Sequence, residues 1–508
     1  MTEEGTRRGW LNPATIFAAA LLVRVLIWLL IPVDWNWDSY HHWQISYLSL
    51  KVGFSQGRLW DLNGCEYMWG MVPHLAEAGL MWLLGTSSIV PYRALNAALG
   101  SLNAALVYSI GRRFYSDRTG LHAGFLAALF PVAAIFDVLA MQDTLALTFV
   151  LASLYLVRDR PFWSGLALAL AAQSRAEYLA AGLLIQAGYC LRERLHTESL
   201  PYVMGWALGT GVFSAHLFTQ TGSPFYHLYV SLLNVFGGLD PANEGKPFLS
   251  LAASWAARKL SVWPTKPTGL LIITAAAAAL LLVPYMAWRR WFRYQPQLYF
   301  LAVTAFQLPT FITYLGSDHE SLLIMLRMAI PIAALGYPLL VHASNMAFTL
   351  ARHGSIRLRP EHLLLAASLL SLAYLVPAYQ GFQVHALDAF ASADAVAAVY
   401  RGGVIVCDHP TINYRLVEAG VVDEGSLLGN HYAPDHYGVS EPRAYLEWLW
   451  DNSVTLWLRY DYRSDAVWGV IQVNYPQVLE LVAETPCVMV YAVDRAELAA
   501  TLGRGNTR

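Results

Sequence analysis

Long apolar runs, broken by short charged loops, cover residues 13–33, 87–110, 119–137, 141–158, 162–175, 177–193, 200–218, 268–288, 297–315, 323–344 and 361–379. A bilayer core takes about 20 apolar residues as a helix, fewer where helices are buried among others. The pattern therefore predicts a polytopic α-helical membrane protein with about 11 transmembrane helices. One further apolar segment, "MVPHLAEAGLMWLLG", is too short to span and is expected to lie in the membrane interface. From residue 380 the pattern changes. Short apolar strands ("GGVIVCD", "VTLWLRY", "CVMVYAV") alternate with helical patterns ("PRAYLEWLWDN", "SDAVWGVIQVNY"), which predicts a small α/β domain outside the membrane. The expected organisation is a membrane domain over 1–379, with an outer loop 34–86 carrying interfacial helices, and an extracytoplasmic α/β domain over 380–508.

Composition strengthens the membrane assignment. Of 508 residues, 56% are hydrophobic and 13% charged, and the mean hydropathy is +0.40. A soluble domain carries about 25% charged residues. The net charge of −2 gives no reason to expect nucleic acid. No stretch reads as a cleavable signal peptide, so the first run, "PATIFAAALLVRVLIWLLIPV", is expected to stay as a signal anchor. Lys and Arg set the orientation. They crowd into "TRRG", "GRRFYSDR", "VRDRP", "LRERL", "WRRWFR" and "ARHGSIRLR", whereas the alternate loops "MQD", "SRAEY" and "GSDHES" hold Arg175 as their one base. The chain is thus expected in a plasma or inner membrane with its N-terminus cytoplasmic and both the 34–86 loop and the C-terminal domain outside. Cys407 and Cys487 fall on expected strands of that domain, either as a pair or as two separate buried thiols. The strand end "GGVIVCDHP" finishes in Asp-His, either a site position or a turn-forming strand end.

Ionisable residues at the outer ends of spans are the candidate chemistry, because a central Arg or Asp costs about 2.5–3.5 kcal/mol to insert. Asp38 lies in "WNWDSYHHWQISY", just beyond the first span; its structural alternative is a helix N-cap in a loop anchored by Trp35, Trp37 and Trp43. Asp143, in "AMQDTLALTF", could otherwise cap the next helix. Arg175, in "LALAAQSRAEYLAAG", is too far from the cytoplasmic side to snorkel there; its structural alternative is an outward snorkel. Arg327, in "SLLIMLRMAIPIAAL", has Glu320 or Asp318 as its structural alternative partner. Together these two acids and two arginines supply a general base and a phosphate grip. His41 and His42 point different ways on a helix, but an Asp38-x-x-His41 face could hold a metal; packing or acceptor contact is the favoured reading of both histidines.

The order of these features resembles the GT-C superfamily of integral-membrane glycosyltransferases, in particular the branch of protein O-mannosyltransferases and lipid A aminoarabinose transferase. The likeness covers most of residues 13–379. It runs through "LLVRVLIWLL", "WDSYHHWQISYL", "WLLGTSSIVPYRALNAALGSLNAALVYSIGRRFYSDRTGLHAGFLAALFP", "DVLAMQDTLALTFVLASLYL", "SGLALALAAQSRAEYLAAGLLI" and "SLLIMLRMAIPIAALGYPLL". It departs where the first-loop acid is followed by Ser-Tyr, where a His-Pro-Pro segment is reduced to "MVPHL", and in lacking a Trp-Trp-Asp-Tyr-Gly signature.

The resemblance implies a sugar donor on a polyprenyl or dolichyl phosphate and inverting transfer on the outer face to a protein, glycan or lipid acceptor. It makes Asp38 the catalytic base and Asp143 the second acid, with Arg175 and Arg327 holding the donor phosphate. Glu320, His41, His42 and Trp37 are further candidates for acceptor, sugar or metal contact. No cofactor is required, and a divalent cation (Mg or Mn) stays compatible with Asp38, His41 and Asp143. A secondary transporter or flippase would show inverted repeats and broken midplane helices, and a receptor would tolerate loss of all four charged residues.

Overall fold

The computed structural model describes residues 12–51, 53, 70–192, 199–236, 246–262, 295–314, 319–350, 360–434, 440–460 and 466–504. The chain divides into two compact units. The first comprises Met1–Leu30, Tyr67–Pro73 and Arg93–Ala378; the second comprises Ile31–Glu66, His74–Tyr92 and Tyr379–Arg508.

In chain order the helices are α1 (Pro13–Leu30), α2 (Trp37–Lys51), α3 (Val72–Leu84), α4 (Val90–Phe114), α5 (Asp117–Ala128) and α6 (Pro131–Phe136). There follow α7 (Asp143–Leu156), α8 (Pro161–Ala172), α9 (Glu177–Arg192), α10 (Leu200–Thr221), α11 (Tyr226–Phe236) and α12 (Phe248–Val262). Beyond them lie α13 (Gln295–Tyr314), α14 (His319–Met325), α15 (Ala329–Leu350), α16 (Pro360–Gly381) and α17 (Gln383–Val399). The C-terminal elements are β1 (Val404–Val406), α18 (Pro410–Glu418), β2 (Leu427–Leu428), α19 (Pro442–Asp451), β3 (Val454–Tyr460), α20 (Ala466–Asn474), β4 (Leu479–Glu484), β5 (Val488–Val493) and α21 (Arg495–Leu502).

The first unit is helical. Among the described residues, four stretches are helical, long and apolar enough to cross a membrane: Pro13–Leu30, Val90–Phe114, Glu320–Met346 and Glu361–Val399. The protein is a multi-pass membrane protein. Helices also occupy the other expected spans that are described, whereas the expected 268–288 span lies outside the described residues. Two differences have local causes. The 119–137 run is two helices, because Phe130 turns the backbone extended and Pro131 starts α6. The 323–344 run is interrupted by a 3₁₀ turn at Leu326–Met328 before α15 begins. α11 and α12 are helices that the apolar pattern did not predict.

Helix packing here depends on small residues. Where α8 crosses α10, a Cβ on Gly165 would overlap the Tyr202 carbonyl, and one on Gly205 would overlap the Phe162 carbonyl. With no hydrophobic drive between helices in lipid, such close backbone approach supplies the dispersion contact that associates them.

The second unit surrounds α2. Every residue of that helix from Ser39 to Leu48 is buried, although it carries two histidines, a glutamine and two serines in that span. The C-terminal part is a five-stranded sheet of order β2-β1-β3-β5-β4. β1 pairs parallel with β2 and β3, while β5 pairs antiparallel with β3 and β4. Tyr445, Leu446, Leu449, Trp457, Val467 and Ile471 fill its core between α19, α20 and the sheet. Gly402 and Gly403 enter β1 at φ +107 and +91, backbone that residues with a Cβ rarely adopt. Cys407 is buried and Cys487 half-buried, and both are free thiols.

Candidate active site

In the first unit the site is built at helix ends. α8 stops at Ala172, and Arg175 lies in the turn before α9. Its guanidinium is buried, with 5% exposure. Nη1 donates to Asp143 Oδ1 at the start of α7. Nε and Nη2 donate to Glu177 Oε1 at 3.1 and 2.7 Å. Arg327 is buried on the 3₁₀ turn before α15. The two arginines meet each other's neighbours: Arg175 Nη2 lies 4.0 Å from Met328 Sδ, and Arg327 Nη1 lies 4.0 Å from Met141 Sδ.

The structure therefore gathers Asp143, Arg175 and Arg327, three of the four residues singled out from the sequence, and adds Glu177. Two carboxylates and two guanidiniums balance in formal charge, which is what a buried set requires. Asp143 Oδ2 is buried and accepts no hydrogen bond among the described residues. An anion bound by Arg175 competes with two carboxylates already there. Glu177 was present in "SRAEY" but not singled out, because two residues' separation carries no helical signal and it reads as the acidic first turn of the next helix. Glu320 is exposed in α14, and Asp318 lies outside the described residues.

Deeper in this unit is a second buried pair. Arg24 of α1 donates from Nε and Nη2 to Asp137 Oδ2 at 3.0 and 2.6 Å. The other Asp137 oxygen accepts the Thr144 hydroxyl at 2.7 Å. Gly100 of α4 leaves the room for it, since a Cβ there would overlap the Asp137 carboxylate.

In the second unit, α2 begins beside Asp38. The cap is Asn36, not Asp38: Asn36 Oδ1 accepts the Asp38 backbone N–H at 3.0 Å. The Asp38 side chain is half-buried. Trp35 and Trp43 are buried rather than forming an exposed belt. Trp35 packs on Tyr379 and Phe382, with ring centroids 5.4 and 5.1 Å away, and Trp43 Nε1 donates to the Ser87 carbonyl at 2.6 Å. Trp37 packs against His409 in a tilted arrangement, centroids 4.7 Å apart. Burial holds His409 neutral, its pKa lowered to about 3. Asp408 Oδ1 accepts the Asn430 N–H at 3.0 Å, and His409 immediately precedes α18.

His41 and His42 do face differently. His42 Nδ1 lies 3.1 Å from His74 Nε2 on α3, and both of those rings are buried. One helical turn on, Ser46 Oγ donates to Glu77 Oε2 at 2.8 Å. Burial pushes the Glu77 carboxyl up to about 8; the Ser46 bond acts the other way and the Asp34 charge adds to the rise. Folded protein thus binds a proton that the unfolded chain releases above about 4.5, so this contribution is full below pH 4.5 and is lost as pH rises toward 8. Glu77→Gln should remove a slope of about 1.4 kcal/mol per pH unit across that window. Melting temperatures of the two proteins in detergent at pH 5 and 8 check it: the variant should gain on the wild type at the higher pH.

The chain was compared with known proteins. The family described as dolichyl-phosphate-mannose-protein mannosyltransferase matches residues 71–218. No curated protein matches. ArnT from Cupriavidus metallidurans, solved bound to undecaprenyl phosphate, is 13% identical and covers 94% of this chain and 98% of its own, with a TM-score of 0.50. The fold is that of the GT-C glycosyltransferases. The archaeal oligosaccharyltransferase AglB from Archaeoglobus fulgidus, solved with an inhibitory peptide and a dolichol-phosphate, is 12% identical over 89% of this chain and 70% of its own, with a TM-score of 0.48.

The family match covers α3 to α9 and most of α10, and so contains the turns bearing Asp143, Arg175 and Glu177. Among the described residues no group of three or more His, Cys, Asp or Glu side chains is gathered to hold a metal ion, and His42 is engaged with His74.

Proposed function

We propose that this chain transfers a single sugar from a polyprenyl- or dolichyl-phosphate-linked donor to an acceptor at the extracytoplasmic membrane face. The observation that carries the reading is the buried Asp143–Arg175–Glu177 set, with Arg327 beside it, in a membrane unit of GT-C fold. A structurally similar protein holds undecaprenyl phosphate, and the same chemical group suits guanidinium donors here.

In the proposed step an acceptor hydroxyl or amine attacks the anomeric carbon, and its proton passes to the Asp38 carboxylate. The new bond to the sugar forms as the anomeric carbon–oxygen bond to phosphate breaks. The electron pair stays on the departing lipid phosphate, whose growing charge Arg175 and Arg327 meet. Attack opposite the leaving group inverts the anomeric centre. Neutral balance in the resting set keeps Arg175 in place until the phosphate arrives. Asp143 and Glu177 then orient the guanidinium rather than donate to the lipid.

Purified protein incubated with a panel of polyprenyl-phosphate sugars should release lipid phosphate from at least one; silence with every donor sinks the proposal. Arg327→Ala should weaken undecaprenyl phosphate binding by about 10- to 100-fold, the worth of charge-assisted hydrogen bonds. A titration by native mass spectrometry reads the affinity, and an unchanged value removes Arg327 from the phosphate site.

A further inference from the structure

The turn that presents Asp143 is gripped from one side. Residues Arg93, Asn96, Gly100 and Asn103 recur along α4 at spacings of three, four and three, which places them on one helical face. Arg93 Nε donates to the Val138 carbonyl at 2.8 Å. Asn96 Nδ2 donates to the carbonyls of Leu139 and Met141, at 2.8 and 2.7 Å. Asn103 Nδ2 donates to the Thr144 carbonyl at 3.2 Å. Gly100 admits the Asp137 carboxylate, which takes the Thr144 hydroxyl. All three polar side chains are buried, as is the turn from Val138 to Gln142.

Between α6 and α7 this turn is not helical, so its interior carbonyls need donors from elsewhere. α4 supplies them in a row, and a row at fixed spacing accepts one backbone path. Asp143 does not choose that path for its own benefit. One of its oxygens meets Arg175, while the other is buried and takes no hydrogen bond among the described residues. Leaving such an oxygen dry is unfavourable, so the carboxylate is held in place by the turn. The same turn carries Met141, the residue against Arg327.

We infer that Arg93, Asn96 and Asn103 are positioning residues: they clamp the 138–144 backbone so that Asp143 sets the Arg175 guanidinium for the donor phosphate. This inference rests on the proposed function for the meaning of Asp143. The clamp itself is backbone geometry and can be measured apart from it.

Two readouts test it. Asn96→Ala, and Asn103→Ala as the milder change, should speed amide hydrogen exchange within residues 138–146 while α13 and the sheet stay as in the wild type. Unchanged exchange in that segment in a folded variant overturns the clamp, whatever a donor assay shows. The second readout is a cycle with Asp143→Asn, using a donor the wild type accepts. Asn103→Ala should lower kcat/KM by about 10- to 100-fold in the wild-type background, the scale of an ångström's misplacement, and by less than about threefold once Asp143 is gone. An equal loss in both backgrounds shows that α4 does not act through Asp143 and overturns the positioning role. Should no donor be accepted, the function proposed above fails, and exchange still decides the clamp.

Discussion

Asp38→Asn is expected to reduce sugar transfer by about two to four orders of magnitude, the usual worth of a general base, while leaving the fold intact. The substitution keeps the cap of α2. Asn36, not Asp38, caps α2, and its bond goes to the backbone N–H of residue 38, which the variant keeps. Side chains further along α2 also hold it. Gln44 accepts from Asn413 at 3.0 Å, Ser46 donates to Glu77, and Tyr47 donates to Glu424 at 2.8 Å. The amide is nearly isosteric with the carboxylate but cannot take a proton at neutral pH. The expected signature is a fall in kcat with an unchanged melting temperature and unchanged undecaprenyl phosphate binding. A fully active variant would withdraw the base assignment, and a protein that no longer binds the lipid would point to a structural role instead.

The largest stability effect should come from a pair with no assigned part in the chemistry. Arg24→Ala leaves Asp137 buried without its guanidinium, and breaking a buried pair in this way costs about 3–5 kcal/mol. The pair is deeply placed: the two side chains are 1% and 4% exposed, and Arg24 Nη1 also donates to the Ala20 carbonyl at 3.1 Å. Removing both charges together, as Arg24→Met with Asp137→Asn, should cost less than Arg24→Ala alone, because no uncompensated charge remains. Gly100→Ala should approach the single-variant loss by another route, since the new methyl would meet the Asp137 carboxylate and lie 2.7 Å from Arg24 Nε. Unfolding of the four proteins in detergent, followed by circular dichroism, gives the order. Equal stability of Arg24→Ala and wild type would show the pair to be dispensable.

Much of the chemistry was legible because charge in an apolar run is costly. Asp143, Arg175 and Arg327 stood out on that ground, and all three meet at one place in the first unit. Asp137 did not stand out: it is the last residue of the apolar run 119–137. Its partner Arg24 is 113 positions away in the chain, so no local spacing links the two. Glu177 was hidden by its ordinary place in a helix's first turn. The row on α4 is visible in "RALNAALGSLN" once the face is known, but asparagines and a glycine in a span also suit helix packing.

By itself the sequence determined what depends on local pattern: the apolar helices, the strand-and-helix alternation after residue 380, and the short list of expensive charges. Folding in three dimensions decided which groups answer one another. α2 shows the difference most plainly. With polar residues all round, its pattern gives no buried face, yet the helix is enclosed because Asn413, Glu77, Ser87 and Glu424 arrive to satisfy it. Hydrophobicity is a property of each residue and is read in place. Hydrogen-bond satisfaction belongs to pairs, and distant partners are chosen only when the chain closes on itself.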